Sequence, residues 1–224
     1  MTGKADPVVQ CIGVVDALRV IGSSGIDVTW ASLGMQAPGG AREFRSLFGR
    51  SDETFRRLDC ASRALVLAGG AAGLTDTLPA GAAVDVGIVV ETTYGSLEAD
   101  LRFAASMSAG FCDGAVFPYT LPSTGLGELA LRHGLRGPTV CLSILQGQRG
   151  AALREAELLL ATGECQLVVA AQVDALETQC ADAQVGCEAV LALLASPRLG
   201  ATAVAPWPGT GEGAFRMLAR SLTA

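Results

Sequence analysis

The sequence predicts an α/β fold: a mostly parallel mixed sheet with helices on both faces. Three observations lead there. Short apolar runs rich in β-branched residues alternate, almost throughout, with segments whose apolar residues recur at helical spacing. Strands and helices that alternate in this way favour parallel pairing, with both faces of the sheet covered. Half of the 224 residues are hydrophobic, only 17% are charged and 28 are glycine. That composition suits a well-buried domain with tight turns, and excludes a disordered or fibrous chain.

Val8 to Val15 reads as a central strand, and Val20 to Gly25 as its turn. Met35 to Arg50, rich in Gly, Pro and Arg, reads as a surface excursion. Phe55, Leu58, Leu65, Leu67 and Ala71 carry helical spacing through Asp52 to Leu74, with Ser51 or Asp52 as its cap. Val84 to Val90 is a buried strand and Ser96 to Met107 a helix. Pro118 to Pro122 is extended, Ser123 to His133 helical, and Gly134 to Pro138 a turn. Thr139 to Leu145 follows as a buried strand, Gly147 to Ala161 as a helix, and Leu167 to Val173 and Glu188 to Ser196 as strands. The GAFRMLARSLTA end is amphipathic enough for a short helix, with Phe215, Met217 and Leu218 as core or partner contacts. The expected organisation is one domain over 1–224, with a core at about 8–200 and a terminal tail over 201–224. No internal repeat is found.

A formal charge of −6 argues against a general nucleic-acid or membrane-surface role. The seven cysteines are scattered without a C-x-x-C pair, and their odd number suits a reducing cytoplasm better than a disulfide framework. With one histidine and no clustered thiols, neither a metal site nor a metal cofactor is expected. No apolar run approaches the roughly 18 residues that span a bilayer, and residues 1–8 read as a short polar tail. GGAAGL at 69–74 follows a helix and not a strand, so it reads as a helix ending and not as a dinucleotide loop.

The stretch from Phe117 to Val173 closely resembles the centre of the β-ketoacyl synthase N-terminal half, in the thiolase superfamily. There a GLRGP turn, here Gly134 to Pro138, leads into a strand that delivers a Cys nucleophile at the start of a buried helix. RLDCASRALVLAGGAAGL and ETTYGSLEADLRF resemble two further synthase segments. The resemblance covers roughly residues 8 to 200 and implies one half of a thiolase-like fold. It also implies that two His and one Lys of the catalytic set would come from the other half. His133 is not one of them, and reads as a helix-end residue satisfying carbonyls or filling an aromatic-sized gap. GTGEG at 209–213 has Pro208 where a synthase HGTGT motif has His, so that likeness is coincidental; it is also similar to a structural G-E-G-A turn in synthases.

Aligned without a gap from Gly137 to Gly163, the nucleophile position is held by Gln146. An amide cannot carry an acyl chain as a thiolate does, but it can donate to a thioester carbonyl or plug a pocket. Gln at this point marks two branches of the family: chain-length factors of type II polyketide synthases, and decarboxylating loading domains. The resemblance therefore implies a subunit without condensing activity of its own, in fatty-acid or polyketide assembly, that pairs with a synthase or shapes its acyl tunnel. The alternatives are a malonyl-carrier decarboxylase that uses a partner's histidines, and a homodimeric or carrier-binding structural module. Cys141 and Ser143 lie within the strand and read as packing residues; no His–acid pair stands by to activate a serine.

The expected substrate contacts are Gln146, Phe117 and Tyr119, the last two near the family's acyl tunnel and dimer interface. The expected interface is Thr139, Val140, Cys141, Leu142, Ser143, Ile144 and Leu145, the strand that pairs across a two-fold axis in thiolase-type dimers. It is apolar, uncharged and free of proline, and as an edge it needs a cover. The partners implied are a synthase subunit or a second copy, and an acyl carrier protein. Arg132, Arg136 and Arg149 are candidates for the carrier's acidic surface, with solvated surface as the plainer reading.

Overall fold

A computed structural model describes residues 5–16, 19–29, 45, 47–49, 51–78, 85–145, 147–176 and 187–223. Seven strands form one sheet: β1 (Val8–Val15), β2 (Arg19–Gly22), β3 (Asp27–Thr29), β4 (Val86–Thr92), β5 (Thr139–Ser143), β6 (Leu167–Ala175) and β7 (Cys187–Ala195). Their order is β3-β2-β1-β7-β6-β4-β5. Among the described residues these helices accompany them: α1 (Cys60–Ala72), α2 (Leu74–Thr77), α3 (Leu97–Ser108), α4 (Thr124–His133), α5 (Ala151–Thr162) and α6 (Ala214–Ser221).

The fold class is the expected one, but the parallel share is smaller. β6, β4 and β5 run parallel, while β3, β2, β1, β7 and β6 pair antiparallel in succession. The cause is local. Val20 begins no turn; β2 folds straight back on β1, and the turn falls at Ser23 to Gly25, where Gly25 has positive φ. β7 then enters between β1 and β6 in the reverse sense.

Side-chain alternation along the strands feeds two cores. Val86, Ile88 and Val90 of β4 and Leu191 and Leu193 of β7 join Leu65 and Leu67 of α1 and Leu129 of α4 on one face. Val89, Val168, Ala192 and Leu194 turn to the other face, against Leu153, Ala156 and Leu159 of α5 and Phe215 and Leu218 of α6. Each such leucine contributes about 1.5–3 kcal/mol on burial. Gly13 permits the closest helix–sheet approach, since a Cβ there would lie 1.8 Å from the Ala68 carbonyl oxygen. The C-terminal segment thus forms the predicted helix and covers part of the second face, leaving Met217 exposed.

Several boundaries differ from the sequence reading for identifiable reasons. The helix expected from Asp52 is broken at Leu58, which is extended; a 3₁₀ turn over Phe55–Arg57 precedes α1. Asp59, not Ser51 or Asp52, caps α1, accepting from the Ser62 N–H, while Asp52 Oδ1 accepts from Thr54 and Phe55 N–H groups of the 3₁₀ turn. Phe117–Thr120 is a 3₁₀ turn where an extended segment was expected, because Pro118 fits the first turn of a helix as well as it fits extended chain. α5 starts at Ala151, since Gly147 and Gly150 both have positive φ. Of the excursion expected over 35–50, only Arg45 and residues 47–49 are described, and Leu47 and Phe48 pack on the first core.

Candidate functional site

The carboxyl ends of the parallel strands β4 and β6 and the amino end of α5 converge at one corner of the fold, where open α/β sheets place their ligands. Gln146 itself lies outside the described residues, so the site is defined by what surrounds the helix terminus. Glu91, the next-to-last residue of β4 and fully buried, directs its carboxylate into that terminus. Gly150 N–H donates to Oε1 at 2.8 Å and to Oε2 at 3.0 Å, and Ala152 N–H donates to Oε2 at 2.7 Å. Burial pushes the Glu91 carboxyl above its ordinary range; the two backbone donors, then Arg154 and Arg149, pull the other way. Gly150 is required here: its φ is +98°, and a Cβ would lie 2.6 Å from the Gly211 carbonyl oxygen.

A second buried acid organises the loop beside it. Asp174, at the end of β6, is fully buried. Its Oδ1 accepts from Thr92 Oγ1 (3.1 Å), Thr93 N–H (2.7 Å) and Tyr94 N–H (3.3 Å), which fixes the turn after β4. Its Oδ2 accepts from Arg149 Nη2 at 3.2 Å, and Arg149 Nη1 reaches Glu188 at 3.5 Å. Arg149, Gln172, Glu188 and Glu212 then rim a cleft of about 790 Å³ floored by Val190 and Phe215. Sequence reasoning missed both acids. The available signal was the single carboxylate inside each of two largely apolar strands, VGIVVET and LVVAAQVDA.

The structure spreads the sequence-predicted residues over three places. Phe117 is 60% exposed and packs against Phe103, ring centroids 5.4 Å apart. Tyr119, two residues on, is half-buried against the first core. Burial, with Glu128 and Asp59 nearby, raises its phenol above the ordinary value. Thr139 to Ser143 form β5 at the sheet edge, not a buried strand: Thr139 and Ser143 are exposed and Val140, Cys141 and Leu142 half-buried, because among the described residues only β4 flanks it. Ile144 is buried, and Leu145, beyond the strand end, is 71% exposed. Burial raises the Cys141 thiol, the opposite of what a nucleophile needs. His133 Nδ1 lies 2.9 Å from Thr75 Oγ1 at the end of α4.

The arginines sort differently from expectation. Arg132 pairs with Asp52 at 2.9 Å and with Glu128, and donates to Thr54 Oγ1 at 2.7 Å; like Arg149, it is neutralised by its own chain. Arg56, Arg57, Arg63 and Arg102 instead gather around a cleft of about 510 Å³, with Asp59 and Asp113 as its acids and Tyr119 on its wall. On a chain of net charge −6 this is a local reversal of sign. Among the described residues no cluster of three or more His, Cys, Asp or Glu could hold a metal, and no helix is long and apolar enough to cross a membrane.

No protein-family model matches the chain, and no curated protein matches it in sequence. Its fold has solved counterparts. The ishigamide ketosynthase/chain length factor superposes with a TM-score of 0.61 at 18% identity, over 87% of this chain and 63% of that one. A ketosynthase in complex with its chain length factor from Xenorhabdus doucetiae gives 0.60 at 18% identity, over 86% of this chain and 80% of that one. A type II polyketide synthase acyl-carrier protein in complex with its ketosynthase bound to the hexaketide gives 0.55 at 14%, over 87% and 63%. The chain thus spans less than two thirds of the length of the first of these. At such identities the likeness is one of fold, and the fold is the thiolase-like ketosynthase one.

Proposed function

We propose that this chain is a non-condensing, chain-length-factor-type subunit of a type II polyketide or fatty-acid pathway, pairing with a β-ketoacyl synthase or with a second copy and shaping the acyl tunnel of the assembly. The observation that carries the pairing is the open edge of β5: five uncharged residues without proline, flanked among the described residues by a strand on one side only. Backbone N–H and C=O groups on such an edge require a cover. Exposed Leu145, Phe117, Phe111 and Leu121 add apolar area that suits an interface. The fold shared with a ketosynthase–chain length factor complex supports the same reading.

Gln146 at the nucleophile position supports a role without acyl transfer of its own. Phe117 and Tyr119 are the proposed tunnel-side residues. The cleft with Arg56, Arg57 and Arg102 on its rim offers an acidic carrier protein a seat, whereas Arg132 and Arg149 are held by acids of this chain. Light scattering on the protein alone, and mixed with synthase and carrier subunits, tests the reading. A stable heteromer is expected. A homodimer that ignores both partners overturns the synthase-pairing form and leaves a self-associating module.

A further inference from the structure

From the geometry around α5 we infer that Glu91 is a resident anion: its carboxylate fills the helix terminus, so the chain cannot hold a thiolate, an oxyanion or a ligand carboxylate there. Silence at this site is therefore set by Glu91 as well as by the residue at position 146. For its functional meaning this rests on the reading above of a non-condensing subunit; its structural content stands alone.

An α-helix ends in N–H groups with no intrahelical partner, and their summed dipoles favour one negative charge. In enzymes that use such an end, the charge comes from the reacting group. Here it comes from the neighbouring strand. Gly150 and Ala152, two of the free donors of α5, both donate to Glu91, and the side chain is sealed from solvent. Arg149 and Arg154 are the cations that face this carboxylate, and Arg149 is committed to Asp174 and Glu188, while Arg154 donates to the Thr210 carbonyl. The nearest acid of the same network, Asp174, is saturated by its own donors. A second anion would meet the first one's repulsion, at N–H donors that Glu91 already occupies.

The occupancy is also a brace. β4 lies between β6 and the edge strand β5, and Glu91 is the β4 residue in register with Leu142. One side chain therefore ties the start of α5 to β4, the strand that flanks the proposed interface strand.

Two experiments on the intact chain test the inference. In Glu91→Ala the emptied terminus becomes an acceptor for a small anion. Its melting temperature is expected to fall, and to recover saturably with formate or acetate but not with chloride at matched ionic strength, while the parent protein responds to neither. Equal responses of variant and parent overturn the inference. Because Glu91→Ala could fail to fold, a thiol reporter in the isosteric background keeps the test open. Ala151→Cys places a thiol in the first turn of α5, and its alkylation is followed site by site by mass spectrometry, with exposed Cys112 as reference. With Glu91 present, Cys at 151 is expected to react no faster than Cys112 at neutral pH. With Glu91→Gln it should react roughly tenfold faster, about one pH unit of thiol acidity. A thiol already fast beside Glu91, or unmoved by Glu91→Gln, overturns the inference. Neither arm depends on a synthase partner, so a failed heteromer and a failed resident anion are separate results.

Discussion

Arg149 and Asp174 meet at 3.2 Å across 25 residues of sequence, the carboxylate fully buried and the guanidinium half-buried. The pair links the loop before α5 to the end of β6, and through Thr93 and Tyr94 it also sets the turn after β4. Arg149 keeps Glu188 when Asp174 is removed, but the Thr93 and Tyr94 N–H groups lose their acceptor. Asp174→Ala is therefore expected to cost about 1–3 kcal/mol in urea unfolding, and Asp174→Asn less, since an amide oxygen still accepts from the loop N–H groups. A cost below about 1 kcal/mol for Asp174→Ala would show that the network is ornamental.

Close approach of α1 to the sheet rests on Gly13. Gly13→Ala drives a methyl into the Ala68 carbonyl and is expected to cost about 1–3 kcal/mol or more by overpacking. Leu65→Ala, in the same core, should cost about 2–5 kcal/mol through a cavity. Thermal denaturation of both variants checks the pair, and both should leave any partner stoichiometry unchanged while folded.

Assembly should respond to the edge strand alone. Lysine at exposed Thr139 and Ser143 blunts an edge without touching either core. The double variant is expected to keep the parent melting temperature within a few degrees and to lose its heteromer or homodimer in light scattering. Retained mass would place the contact elsewhere.

Carrier binding should follow the arginine cleft. Arg56→Glu/Arg57→Glu is expected to weaken carrier affinity at least about tenfold and to flatten its salt dependence. Arg132→Gln, which breaks an internal pair, should lower stability and leave that salt dependence as it was.

Stability should vary with pH through Glu91. Its folded pKa is raised above the ordinary 4.5, chiefly by burial. Between those two values the folded state holds more protons than the unfolded one, so stability falls as pH rises through that window. Asp59, raised by burial, acts in the same sense, whereas Asp52, held low by Thr54 and Arg132, loses its contribution only as pH falls through its folded value. Urea midpoints compared between about pH 4.5 and pH 7 should fall less in Glu91→Gln than in the parent. An identical slope would remove Glu91 as a source.

Sequence by itself determined most of the strands and helices, though not β2, β3 or the 3₁₀ turn at Phe117–Thr120. β1, β4, β6, β7, α1, α4 and α6 follow from short apolar runs and from apolar residues at helical spacing, because that information is local and repeated over several residues. The resemblance carried the fold class for the same reason, through contiguous motifs. Only the tertiary structure decided that β5 stands at an edge with half its surface open, and that Arg132 and Arg149 are already paired. It alone put a carboxylate from β4 into the helix terminus 59 residues later. Such partnerships join single residues far apart in the chain. A pairwise contact leaves no periodicity, so composition and spacing are silent about it until the sheet order brings its members together.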